Sequence, residues 1–179
     1  MSLTGKARIA GVFGWPVAHS RSPALHNFWL AEHKIDGAYI PLPVAPEHFE
    51  RAARALPLLG FAGANVTVPH KQAALALADT VDPLAKRIGA VNTLVIGADG
   101  SLAGSNTDAF GFIENLRQAV GFKASRGPAV MLGAGGSARA VAARHRACGH
   151  LSNAQGRVPV KRRTADSRRS ESAERRQPW

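Results

Sequence analysis

In the stretch NVTVPHK, residues 65–71, four residues alternate polar and apolar as a strand does, a proline stops them, and a lysine opens the next element. Successive strand side chains point to opposite faces, so Asn65 and Thr67 share one face while Val66 and Val68 share the other. Lys71 stands near the strand's carboxyl end, where open α/β sheets place their ligands. An ammonium above a polar floor can stabilise and protonate an oxygen that gains negative charge. Equally, Lys71 can be an exposed lysine on the first turn of a surface helix. Ser20 and Ser22 of HSRSP (19–23) lie just before a helix whose free amide donors favour an anion. Their hydroxyls can hold a carboxylate, or Ser22 can simply cap the helix. Asp108 in GSNTDAFGF stands at another helix start, where an aspartate is a ready cap or dipole partner. Asn92 in GAVNTL begins an apolar strand and can be a turn residue.

A fifth candidate is VMLGAGGSARA, in which Gly133, Gly135 and Ala138 fit G-x-G-x-x-G/A between a strand and a helix. The glycines permit a tight turn and close backbone approach, and the helix amides face a pyrophosphate. Ala134, Gly136 and Ser137 complete that loop. A structural tight turn is the alternative. No Asp or Glu occurs between Glu114 and Asp166, so the acidic residue that binds the ribose of NAD about 20 positions on is missing, which leans toward NADP.

Regular elements must bring these residues together. RIAGVFG (8–14) is a short apolar run that reads as a buried strand. SPALHNFWLAEHK follows as a helix, with Ser22 able to cap, Pro23 suited to the first turn, and Leu25, Phe28, Trp29 and Glu32 at helical spacing up to Gly37. GAYIPLPV is strand-like but carries prolines, which puts it at a sheet edge. PEHFERAARALPLLG reads as an amphipathic helix ended by Gly60, GANVTV as a strand and HKQAALALA as a helix. NTLVIGADGSLAGSNTD reads as a hairpin turned at Asp99-Gly100. DAFGFIENLRQAV is a further helix, PAVMLG a fresh buried strand, and GGSARAVAAR the helix it feeds. Strands alternating with helices imply an α/β protein with a mostly parallel sheet.

The composition fits that reading: 45% of the 179 residues are hydrophobic, enough for a core, and 18 Gly and 11 Pro supply many turns. No run approaches the roughly 18 apolar residues of a membrane span, and the start lacks a signal-peptide pattern, so a cytoplasmic protein is expected. Cys148 is the only cysteine, which leaves no internal disulfide and no cysteine-based metal site; no metal is called for. The net charge of +11 would ordinarily point to nucleic acid. Its distribution argues otherwise, because residues 1–143 hold 13 Lys and Arg against 9 Asp and Glu, whereas residues 144–179 hold 10 against 3. From Arg144 the text is rich in Arg, Ser, Gln and Pro without helical or strand period, and such a segment buries too little apolar surface to offset its ordering entropy. The only aromatic there is Trp179, so a nucleic-acid surface is not indicated.

Taken in order, GWPVAHSRSPALHN, GANVTVPHK, GAVNTL, SNTDAFGF and GAGGSARA resemble shikimate dehydrogenase, from residue 8 to about 143. The resemblance implies a three-layer substrate domain over 6–108, followed by a linker helix and the first βα unit of a Rossmann domain over 109–143; the composition makes 144–179 a basic low-order tail. It implies NADP-dependent reduction of 3-dehydroshikimate to shikimate, with those small molecules as partners. By position, Ser20 and Ser22 would meet the substrate carboxylate. Thr67, Asn92 and Asp108 would bind ring hydroxyls, with Asn65 lining the same face. Lys71 would be the catalytic lysine, coupled to Asp108 as an acid/base pair, and Gly133 to Ser137 the pyrophosphate loop. Departures are equally clear. A family acidic residue some nine positions before Asn92 is Pro83 here, with Asp82 beside it. The second Rossmann strand and the units after it are absent, and the text after Arg144 looks out of frame. The chain as given is therefore expected to have little or no dehydrogenase activity. A quinate/shikimate dehydrogenase using NAD, or a shikimate-binding fragment without turnover, are the alternatives. The sequence sets no oligomeric state.

Overall fold

The computed structural model describes residues 3–123 and 140–141. Along the chain β1 (Arg8–Gly14), α1 (Ser22–Glu32), β2 (Gly37–Pro43), α2 (Phe49–Ala55), β3 (Phe61–Val66), α3 (Lys71–Leu77), β4 (Thr80–Val81), α4 (Pro83–Ile88), β5 (Thr93–Ile96), β6 (Leu102–Ser105) and α5 (Asp108–Val120) succeed one another. The strands form one sheet in the order β2-β1-β3-β5-β6-β4. β1 runs parallel to β2 and β3, and β4 parallel to β6, while β5 is antiparallel to both its neighbours. The sheet is thus mostly parallel. β2 is an edge strand, as Pro41 and Pro43 require, since a proline cannot donate to a second neighbour.

Alternation along β1 separates two layers. Val12 faces α1, where it packs with Val17, Tyr39 and Leu30. Phe13 points to the other side, into a larger core shared with Phe49, Ala53, Val66, Ala74 and Leu77 of β3, α2 and α3. There its ring meets Phe49 edge-on, with centroids 5.2 Å apart. Burying a side chain of this size contributes about 1.5–3 kcal/mol, so Phe13 and Phe49 anchor that side of the sheet. α1 buries no residue fully, and Leu25, Phe28 and Trp29 are exposed. Helices therefore lie on both faces, giving three layers.

Several expectations need correction. Ser22 does not cap α1: Arg21 occupies that position without a side-chain bond, and the Ser22 amide instead donates to Ser20 Oγ at 3.3 Å. The strand through NVTV ends at Val66; the Thr67 amide still donates to Phe13 O at 2.9 Å, and beyond it the chain meets β1's exit through the Trp15 amide, which donates to Val68 O at 3.1 Å. Val68, beyond the end of the strand, does not share the buried face of Val66 and is 68% exposed. The helix expected from Pro46 to Gly60 is shorter, a 3-10 turn at Pro46–His48 followed by α2, with Gly60 in the left-handed region at φ 73°. β4 and α4 escaped the sequence reading altogether. The hairpin at Asp99-Gly100 and the helix over 108–120 stand where expected. PAVMLG, the glycine loop 133–137 and the segment 144–179 lie outside the described residues. Among the described residues no helix is long and apolar enough to cross a membrane.

Candidate active site

Strand direction explains why residues far apart in sequence meet. β1 and β3 run together, Phe13 beside Val66, so the loops after them leave at one edge of the sheet. β5 runs the other way, which places its start, not its end, at that edge, with Thr93 opposite Asn65. β6 reverses again, and Ser105 at its end lies opposite Thr93. The loop carrying Ser20, the first residue of α1 (Ser22), the turn carrying Thr67, the first residue of α3, the entry to β5 and the start of α5 thus share one edge. β4, parallel to β6, delivers Asp82 to the same edge.

The centre of this edge is an ion pair. Lys71 Nζ donates to Asp108 Oδ2 at 2.6 Å, with the two side chains 20% and 32% exposed. Each is the first residue of its helix. A carboxylate suits a helix amino end, whereas a cation there opposes the helix dipole by about 0.3–1 kcal/mol. Local helix stability therefore accounts for Asp108 but not for Lys71, whose charge is met by the tertiary partner. Asp108 Oδ1 accepts from Asn92 Nδ2 at 2.8 Å, so each carboxylate oxygen has one protein donor and spare acceptor capacity. Among the described residues Asp108 is the hydrogen-bond partner of Lys71 Nζ, which leaves two N–H bonds for a ligand oxygen.

Asn92, 8% exposed, uses its whole amide. Nδ2 donates to Asp108 and to Thr107 Oγ1 at 3.0 Å, while Oδ1 accepts from Thr93 Oγ1 at 2.9 Å and the Thr107 amide at 3.1 Å. Asn65 stands one step behind: Oδ1 accepts from Tyr39 Oη at 2.7 Å, and Nδ2 donates to Thr93 Oγ1 at 3.2 Å and to Asn92 O at 3.4 Å. Thr67 lies on the turn into α3, its carbonyl accepting the His70 amide at 2.9 Å. His70 is buried, stacked on Phe49 at 4.5 Å, and donates through Nε2 to Val44 O at 2.8 Å. Burial holds its imidazole below the usual histidine range, against the opposing effect of the Val44 carbonyl.

The structure brings Lys71, Asn92 and Asp108 into direct contact and sets Asn65 and Thr67 beside them. Ser20 and Ser22 share the edge without bonding to that triad among the described residues. Gly14 connects the two parts. A Cβ there would come 2.7 Å from Thr67 Cγ2 and 3.1 Å from Val17 Cγ2, and Val17 O accepts the Ser20 amide at 2.9 Å. Only glycine lets the end of β1 lie this close to the turn carrying Thr67. Sequence reasoning missed Tyr39, Thr93, Thr107 and the bracing role of Asp82. Asp82 Oδ1 caps α4 through the Leu84 and Ala85 amides at 2.7 and 3.0 Å, and Oδ2 takes the Asn106 amide at 3.2 Å. The Asp-Pro pair at 82–83 was a legible cap signal; the other three carry no motif. An apolar groove of about 370 Å³ beneath α1 reaches Asn65 and Thr93 but is not lined by Lys71 or Asp108.

Residues 12–94 match the family of shikimate dehydrogenase substrate-binding domains. The NADP(+)-dependent shikimate dehydrogenase of Paramagnetospirillum magneticum is 66% identical over 142 residues, covering 79% of this chain and 51% of that protein. That of Rhodospirillum rubrum is 67% identical over 142 residues, covering 79% and 50%. The chain spans about half the length of the curated relatives it matches. Among solved structures, shikimate 5-dehydrogenase of Thermus thermophilus in complex with NADP(H) and shikimate superposes with a TM-score of 0.73 at 45% identity, covering 79% of this chain and 53% of that one.

Proposed function

Since residues 12–94 belong to the family of shikimate dehydrogenase substrate-binding domains, we propose that this chain binds shikimate and 3-dehydroshikimate and carries the acid/base pair for their NADP-dependent interconversion, in the cytoplasm. The observation that carries the proposal is the Lys71–Asp108 pair at 2.6 Å, partly open to solvent and held from behind by Asn92. Residues 6–108 form the substrate unit in this reading, and 109–143 lead into the cofactor domain. Ser20 and Ser22 receive the substrate carboxylate, Thr67 and Asp108 receive ring hydroxyls, and Asn65 lines the same edge. Asn92 already spends all four amide positions on protein partners, so a substrate hydroxyl has to share one of them.

The hydride that reduces the ketone carbon is what bound NADPH supplies. We assign its pyrophosphate to Gly133, Ala134, Gly135, Gly136 and Ser137 on their spacing alone, since they lie outside the described residues. As the carbonyl carbon is reduced, negative charge develops on its oxygen. Lys71 is the donor placed to stabilise that charge and to give the oxygen its proton; the neutral amine is then reprotonated from solvent. Asp108 keeps the ammonium aimed before transfer, and in the oxidative direction the same amine takes the alcohol proton.

Two measurements test this. Calorimetric titration of the 179-residue polypeptide with shikimate is expected to give saturable binding; none at millimolar ligand would refute the substrate assignment. In a chimaera joining residues 3–123 to the cofactor domain of the Rhodospirillum rubrum relative, an NADP-linked absorbance assay reads turnover. Lys71→Ala is expected to lower kcat by about 10²–10⁴ while KM moves less than about fivefold, because the loss falls on the transition state. Equal turnover in variant and parent would remove Lys71 from the chemistry.

A further inference from the structure

Tyr39 sits on the edge strand β2, yet its side chain is among the most immobilised near the site. It is 5% exposed. Its ring stacks on His26 with centroids 4.1 Å apart and planes 14° from parallel. Asn27 of α1 clamps its backbone, donating from Nδ2 to Tyr39 O at 2.8 Å and accepting the Tyr39 amide at 2.9 Å. The side-chain amide stands in for the strand neighbour that an edge position lacks. Packing alone needs only the ring; the hydroxyl has its own partner, Asn65 Oδ1 at 2.7 Å.

That bond sets the sense of every bond beyond Asn65. With Oδ1 on the Tyr39 hydroxyl, Asn65 Nδ2 faces Asn92 O and Thr93 Oγ1. The reversed amide would set Asn65 Oδ1 against the Asn92 carbonyl, two acceptors face to face. Thr93 Oγ1, with a lone pair taken by Asn65, directs its own proton to Asn92 Oδ1 at 2.9 Å. The Thr107 amide donates to that same oxygen at 3.1 Å, so the Nδ2 end of Asn92 is the one that meets Asp108. Reversing Asn92 would press an amide oxygen on the carboxylate and leave two donors unmet. Chains of this kind polarise one another, and each buried member left unmatched is costly.

We propose that Tyr39, which is buried, and Asn65 and Thr93, which are half-buried, form a relay that fixes the orientation of Asn92, and through it the aim of the Asp108–Lys71 pair, making Tyr39 a positioning residue at a distance from the chemistry. Asn65 works within this relay: Oδ1 holds the Tyr39 hydroxyl and Nδ2 faces Asn92 O and Thr93 Oγ1. Burial pushes the Tyr39 phenol up to about 12, so it keeps its proton and donates at neutral pH. The relay starts on β2 and α1, and α1 begins at Ser22, directly after the loop that carries Ser20; one helix thus bounds the carboxylate end of the site and holds the far end of the relay. The consequence for catalysis rests on the reading of Lys71 and Asp108 given above; the relay itself does not.

The test uses the 179-residue chain and its Tyr39→Phe, Thr93→Val and Thr93→Ser variants. Hydrogen exchange of the Asn92 side-chain N–H groups is followed by NMR without ligand, and shikimate affinity is then measured. Tyr39→Phe removes one oxygen and is expected to speed Asn92 exchange by about tenfold or more and to weaken shikimate binding by about three- to tenfold. Thr93→Val breaks the relay in its middle and is expected to do the same, while Thr93→Ser restores the parent's exchange rate. Exchange within about twofold of the parent in both Tyr39→Phe and Thr93→Val overturns the relay. Should Tyr39→Phe not fold, the Val and Ser pair at position 93 decides the matter. A parent chain that binds no shikimate would sink the proposed function, yet the ligand-free exchange would still decide the relay.

Discussion

Asn92 shows how one residue type can matter more to a site than the charges it serves. Its amide ties the start of β5 to the start of α5, and each of its four hydrogen-bonding positions has a partner. Asn92→Leu keeps the volume and deletes all four bonds inside a buried environment. The expected loss is about 2 kcal/mol or more, because stranded buried donors and acceptors cost about 1–3 kcal/mol each. Lys71→Met removes a partly exposed ion pair, whose contribution should stay within about 1 kcal/mol. Urea unfolding of both variants beside the parent, with unchanged slope, checks the ranking. A larger loss for Lys71→Met would mean that the pair, not the asparagine, holds the edge together.

At the scale of elements, α4 is the weak joint. It has only six residues, too few for a helix to persist by propensity alone. Its ends are nevertheless well specified: Asp82 caps it, Pro83 occupies its first turn, and Gly89 closes it at φ 73°. Asp82 also reaches the Asn106 amide, two residues before Asp108. Asp82→Ala is therefore expected to cost about 1–2 kcal/mol as a lost cap, and also to loosen the approach to α5. Amide exchange of Leu84, Ala85 and Asn106 is expected to rise together. If only the α4 amides respond, the brace between α4 and the site is not real. The same joint explains a miss in the sequence reading, since a two-residue strand followed by a six-residue helix gives no periodicity to count.

For the molecule as a whole, acid should act in two stages. Burial holds the His70 and His26 rings below the ordinary histidine range in the folded state. The unfolded chain therefore binds more protons as pH falls below about 6.5, and stability present above that value is lost toward the folded value. Asp79 behaves in the acid range: the Leu102 amide and Arg54 hold its carboxyl below 3.8, so its contribution is intact above 3.8 and lost as pH falls further. Thermal unfolding between about pH 7 and 5 is expected to show a falling midpoint in the parent. His70→Phe should unfold more easily at neutral pH, by about 1–3 kcal/mol for the stranded Val44 carbonyl. Its decline with acid should be shallower, though not flat, because His26 remains. A slope equal to the parent's would show that His70 does not titrate on unfolding in this window.

Read as text, this chain already specified much of its order. Proline at 41 and 43 marked an edge strand, Asp99-Gly100 a hairpin, and the polar residues at 20, 22, 65, 67, 71, 92 and 108 stood out because each falls at the end of an element. Those features are local: a proline lacks a donor, a glycine admits positive φ, and a helix end leaves amides free, wherever the chain happens to go. What the text could not decide was which of those ends meet. β5 runs antiparallel to β3 and β6, so Asn92 precedes its strand and still shares an edge with Lys71 and Asp108, which come after theirs. Nor could it assign Asn65, whose amide is as suited to a ligand as to Tyr39 and Thr93 until the strand register puts those two beside it. Hydrogen-bonding capacity belongs to the residue type, but its partners are chosen by packing across the sheet, and only the tertiary structure sets that.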